Sequence, residues 1–81
     1  MNPQQKKILR YLYLSDKGLT VRGAVIFLDI TKLSTRVSEL RADGWDIPHV
    51  MEKNEKNGGQ HAVYSLSARD MERIANGDLK G

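Results

Sequence analysis

Few residues in this chain have the types and spacing that chemistry requires. Its 81 residues include two histidines, His49 and His61, and no cysteine. Both histidines fall in a stretch that alternates like a hairpin, where paired imidazoles without a thiolate partner are ordinary edge residues rather than a metal-ligand set. The acidic residues are scattered, and no serine, histidine and aspartate stand at a spacing that would supply a nucleophile with its base. Gly58-Gly59 opens no helix, so it is a loop signal and not a phosphate-binding fingerprint. The expectation is a protein that is not an enzyme, with no metal, no cofactor and no small-molecule substrate.

What remains is the chemistry of contact with a polyanion. The formal charge is only +3, but residues 1 to 41 hold eight basic against three acidic residues, and the remainder five against seven. The sign reverses along the chain, so the basic half is where an anionic partner would be met. Within it, Thr31, Lys32, Ser34, Thr35, Arg36, Ser38, Glu39 and Arg41 form a dense run of hydroxyls and charges. Hydroxyls allow close approach and can bond phosphates or base edges, while Lys and Arg suit phosphates and guanine acceptors. Glu39 is the awkward member, since it repels phosphate unless it accepts from a cytosine amine or pairs with a neighbour. Arg36 is open to a phosphate contact or to a structural ion pair.

The elements that must position this run are short and separated by glycines and small polar residues. Pro3 suits the first turn of a helix, and Ile8, Leu9 and Leu12 share one side, which predicts helix one from residue 3 to about 15. Thr20 can cap helix two, from Val21 to Leu28, with Val21, Ala24, Val25 and Leu28 expected inward. Asp29-Ile30-Thr31 makes a tight connection, and Thr31 is placed to cap helix three, which runs to about Asp43 before Gly44 breaks it. Leu33, Val37 and Leu40 then fall in a narrow inward arc, leaving Thr31, Lys32, Thr35, Ser38, Glu39 and Ala42 outside.

After Gly44 the period shifts toward two. Trp45, Ile47 and Met51 alternate with Asp46, Pro48, Val50 and Glu52, although Val50 spoils a clean pattern and Pro48 suggests a sheet edge or bulge. Ala62, Tyr64 and Leu66 share one face of a second strand, which predicts a β-hairpin with a polar tip over 53 to 59. Ser67 caps a last helix through about Asn76, with Met71, Ile74 and Ala75 inward and Gly77 closing it. The fold class is therefore α+β, a single domain over 1 to 81, with a three-helix core, a hairpin and a short C-terminal helix. Two short helices joined by a tight turn, the second polar outside, form a helix-turn-helix, the arrangement that lays a helix in the major groove of double-stranded DNA.

The chain resembles the winged helix-turn-helix domains carried by many small phage and prophage proteins. The resemblance rests on Leu19-Thr20, on the run from Leu28 to Ile47 and above all on Arg36-Val37-Ser38-Glu39-Leu40-Arg41 followed by Gly44, with Asn57-Gly58-Gly59 and Tyr64-Ser65-Leu66 as hairpin tip and closing strand. Asp29 stands where the family commonly has glycine, and Asp tolerates a left-handed backbone better than most residues. The resemblance implies a DNA-binding regulator of transcription or accessory factor of recombination, with the hairpin as a wing. Lys53 and Lys56 at the tip would then lie near phosphates, the alternative being an ordinary polar turn. Arg22, opening helix two, joins the expected DNA-binding set.

Tyr11, Tyr13, Leu14, Ile26 and Phe27 exceed what one inward stripe needs. An apolar surplus on helices one and two would serve a homodimer on a two-fold operator or, in the rival reading, a protein that the domain binds or inhibits. No apolar run approaches the roughly 20 residues needed to span a bilayer, and the start lacks an apolar signal core, so no membrane association and a cytoplasmic location are expected.

Overall fold

The computed structural model describes residues 2–15, 17–53, 56 and 58–77. The chain runs α1 (Pro3–Leu14), α2 (Val21–Leu28), α3 (Leu33–Ala42), β1 (His49–Lys53), β2 (Gln60–Tyr64) and α4 (Ala68–Ala75). The three-helix core with a hairpin and a closing helix is the expected α+β architecture.

Local signals set most boundaries. Asn2 and Gln5 form a reciprocal capping box at the start of α1, with Pro3 in the first turn. Thr20 Oγ1 accepts from the Gly23 amide at 2.9 Å and opens α2. Asp29 ends that helix in the left-handed region at φ 56°, ψ 40°, so the tight turn uses the tolerance of Asp for this conformation. Helix α3 starts one residue later than a Thr31 cap would place it. Lys32 holds the cap position and no side chain caps the helix, so Thr31 is not the cap that the sequence suggested.

The core gathers Ile8, Leu9 and Leu12 of α1, Ala24 of α2, and Leu33, Val37 and Leu40 of α3, with Leu19, Ile30, Trp45, Ile47 and Tyr64 closing round them. Several expected inward residues are not there. Val21 and Val25 remain 46% and 44% exposed, because the two turns of α2 meet the core through Ala24 and Leu28 and stack Phe27 on Tyr11 of α1, on other sides of the helix. Met51 is exposed with all of β1, and Met71 lies outside too, whereas Ile74 packs on the core. A two-stranded sheet has no second layer to cover its outer face, so alternation in β1 buries nothing.

The hairpin is antiparallel, with His49 opposite Tyr64 and Lys53 opposite Gln60. It is fastened to the helices by Leu19, whose amide and carbonyl both pair with Tyr64 at 2.8 Å. Gly18 makes this crossing feasible. At φ 79° it is left-handed, and a Cβ there would stand 2.6 Å from Val63 Cγ1 and 2.7 Å from the Tyr64 carbonyl.

Candidate nucleic-acid interface

With Leu33, Val37 and Leu40 buried, the opposite side of α3 carries Thr35, Ser38 and Ala42 at spacings of three and four residues, all exposed, and Thr31, also exposed, lies in the turn just before the helix. Lys32 and Ser34 flank this strip and are exposed as well. The ten residues of α3 give it a length of about 15 Å, enough for one pass along a major groove. No large side chain stands in the strip, so the helix backbone can come close to a partner surface.

The charges beside the strip are arranged differently. Arg36 donates through Nη1 to both carboxylate oxygens of Glu39, at 2.8 and 3.0 Å, and through Nε to Gln4 Oε1 at 2.8 Å. Gln5 Nε2 adds a third hydrogen bond to Glu39 at 3.0 Å. The guanidinium and the Gln5 amide hold the Glu39 carboxyl below the usual carboxylate range. Of the two roles open to Arg36, the ion pair is the one formed, and it removes the repulsion that Glu39 would offer a phosphate. Gln4 and Gln5 were not foreseen as part of this face. Their signal was the Asn2-Pro3-Gln4-Gln5 capping pattern, which fixes the start of α1 beside α3.

Arg41 is also committed. Its Nη2 donates to the Ile47 carbonyl at 2.7 Å and lies 3.1 Å from His49 Nδ1, and the guanidinium sits 5.8 Å from the Tyr64 ring centre. Arg41 therefore ties the end of α3 to the start of the hairpin, although its residue surface remains exposed.

The other half of that joint is Asp70 on α4, which the sequence did not mark. It is fully buried, and its carboxylate accepts from the amides of Asp46 at 2.9 Å, Ile47 at 2.8 Å and Ser67 at 3.2 Å. The available signal was Ser67-Ala68-Arg69-Asp70, a serine cap followed three residues later by a carboxylate. Between Asp70 and Arg41, both polar groups of Ile47 are held. Ile47 needs this, since it is a buried β-branched residue at φ 34°, a conformation costing on the order of 1–3 kcal/mol unless its surroundings impose it. Trp45 is buried in the same joint with the Arg73 guanidinium 4.0 Å above its ring, and anchors the hairpin to the helices.

The remaining expected site residues stand apart. Lys53 ends β1 and Lys56 lies in the tip, both exposed. Arg22 is exposed in the first turn of α2. None of Arg22, Lys32, Lys53 and Lys56 enters an ion pair among the described residues. Also among the described residues, no group of histidine and acidic side chains is arranged to hold a metal ion, and no helix is long and apolar enough to cross a membrane.

Comparison with known proteins found no match among curated proteins and none among solved structures. A family model described as a winged helix-turn-helix domain matches residues 3–69, from the first turn of α1 into α4. That span takes in the helix pair α2 and α3 and the whole hairpin, so this chain belongs to the winged helix-turn-helix domain family.

Proposed function

We propose that this protein binds duplex DNA sequence-specifically, laying α3 in the major groove and setting the hairpin against the backbone. In this reading Lys32 and Thr35 approach base edges, while Thr31, Ser34 and Ser38 bond phosphates or bases. Lys53 and Lys56 neutralise phosphates. Arg36, Glu39 and Arg41 shape the face rather than read through it. The observation that carries the proposal is the outer strip of α3, small and hydroxylated, beside charged neighbours already neutralised by one another.

One short helix reads too few bases for useful specificity, so the operator is expected to be two-fold, with half-sites about 10 bp or a multiple apart. In this reading the domain acts in the cytoplasm by occluding, bending or sharing a site in transcription or recombination of the phage type. A protein-interaction role is the second reading, and the exposed Ile26 and Phe27 on α2 favour it.

Selection of bound sequences from random duplex DNA separates the two. Enrichment of a defined motif, with affinity falling steeply as salt rises, is the expected result. Failure to enrich any sequence at low salt would overturn the DNA reading.

A further inference from the structure

Helix α2 is the most apolar helix of the molecule, yet only Ala24 of it is fully buried. Its sequence also carries a pattern that the core does not use. Arg22, Val25, Ile26 and Asp29 follow the i, i+3, i+4, i+7 spacing that aligns residues on one side of a helix, and all four are exposed. The strip reads cation, apolar, apolar, anion. Neither Arg22 nor Asp29 enters an ion pair among the described residues.

Both charges oppose the dipole of the helix that bears them. A cation stands in the first turn, where the helix end is positive, and an anion at the last position, where it is negative. Glycine or asparagine would hold the left-handed conformation at position 29 without that conflict. A second copy laid end for end over the strip resolves both. The partner's Asp29 then meets Arg22, the partner's Arg22 meets Asp29, and Val25 and Ile26 of the two chains meet at the axis. Each charge also lies beside the favourable end of the opposite helix.

We propose that α2 is a self-association face, pairing antiparallel with α2 of a second copy through the strip Arg22, Val25, Ile26 and Asp29. A two-fold interface must be self-complementary, and this strip is. The proposal deepens the two-fold part of the functional reading, and its test needs no DNA, so either can fail without the other. Arg22, expected from the sequence to be among the DNA-binding residues, is taken up by the partner instead.

The contact is small. Two helices of eight residues, each about 12 Å long, bury less than the roughly 1,200 Å² below which complexes are weak and transient. Pairing is therefore a minor state in free solution and becomes dominant when adjacent sites raise the local concentration.

Because the chain has no cysteine, a single introduced thiol reports the contact. Under mild oxidation, Ile26→Cys is expected to form a disulfide dimer roughly tenfold faster than Leu14→Cys, since only thiols held at bridging distance link efficiently. Leu14 is the stringent control, being 82% exposed against 62% for Ile26, so random collision would favour it. Val25→Cys beside the axis is the second reporter, and thermal melts of the reduced proteins check that each is folded. Adding Arg22→Gln or Asp29→Asn should slow linking several-fold, and both together should add little beyond either. The proposal is overturned if Leu14→Cys links as fast as both reporters, or if their linking is indifferent to Arg22→Gln.

Discussion

The outer strip of α3 and the joint at the base of the hairpin lie a few residues apart and are built on opposite terms. In the strip, Thr31, Thr35 and Ser38 are exposed, and no side chain caps the helix start. In the joint, the peptide groups of Ile47 are held from both sides by Asp70 and Arg41, and Trp45 is covered by Arg73. Polar groups left free can be offered to a partner, whereas polar groups satisfied inside the fold set geometry. The domain thus holds its hairpin at a defined angle to α3 while leaving the surface of α3 unspent.

The largest effect should come from the joint. Asp70→Ala leaves three backbone amides without their charged acceptor and frees the strained Ile47, for an expected loss on the order of 3 kcal/mol or more in a denaturant or thermal melt. Asp70→Asn should recover part of it. A melt indistinguishable from the parent would show that the joint is not what orders the hairpin.

Next come the strip residues, for which the contrast predicts the reverse pattern. Thr35→Ala and Lys32→Ala should melt like the parent and lose about 1–3 kcal/mol of binding on the selected DNA site only. Equal losses on selected and scrambled DNA would remove the base-reading role. The hairpin cations should act without regard to sequence. Lys53→Ala and Lys56→Ala should weaken binding to every duplex, and each should flatten the salt slope by about one unit if it neutralises one phosphate. An unchanged slope for both would mean that the tip stays clear of the DNA.

The smallest effect concerns pH. The folded-state carboxyl of Glu39 is held low by Arg36 and Gln5, so it stabilises the fold above its unfolded pKa. That contribution is lost as pH falls through the lowered value, in the acid range below the ordinary Glu pKa of about 4.3. Glu39→Gln should therefore soften the acid limb of a stability profile and leave the neutral range nearly untouched. An acid limb identical in both proteins would assign the loss to other groups.

How far the sequence predicted this arrangement depended on whether a signal was local. The helix ends at Thr20, Asp29, Gly44 and Ser67 were legible because capping and left-handed turns are set by one or two residues. The inward arc of α3 was legible because its period is clean. The burial of Val21, Val25 and Met51 was misjudged because apolar type predicts a preference for cover, while only the other elements decide whether cover exists. The Arg36–Glu39 pair was open to a spacing argument at i, i+3, but the bond from Arg36 to Gln4 joins two helices and that from Arg41 to the Ile47 carbonyl depends on the bend after Gly44, and no helical spacing predicts either. Asp70 was overlooked for a related reason. A carboxylate in a short polar helix reads as a solvated cap, and only the bend at 46–47 reveals the two further amides that need it.

Trp45 is the chain's one tryptophan, and its indole nitrogen is buried without a hydrogen-bond partner among the described residues, beneath the Arg73 guanidinium. The protein thus contains an optical reporter at the place where α3, the hairpin and α4 meet. A dry indole emits toward the blue, and entry of water at that joint would move its emission to the red before the helices melt. Fluorescence of the unlabelled protein can therefore follow the angle of the hairpin on a free domain and on one bound to its target, with no added probe to disturb either.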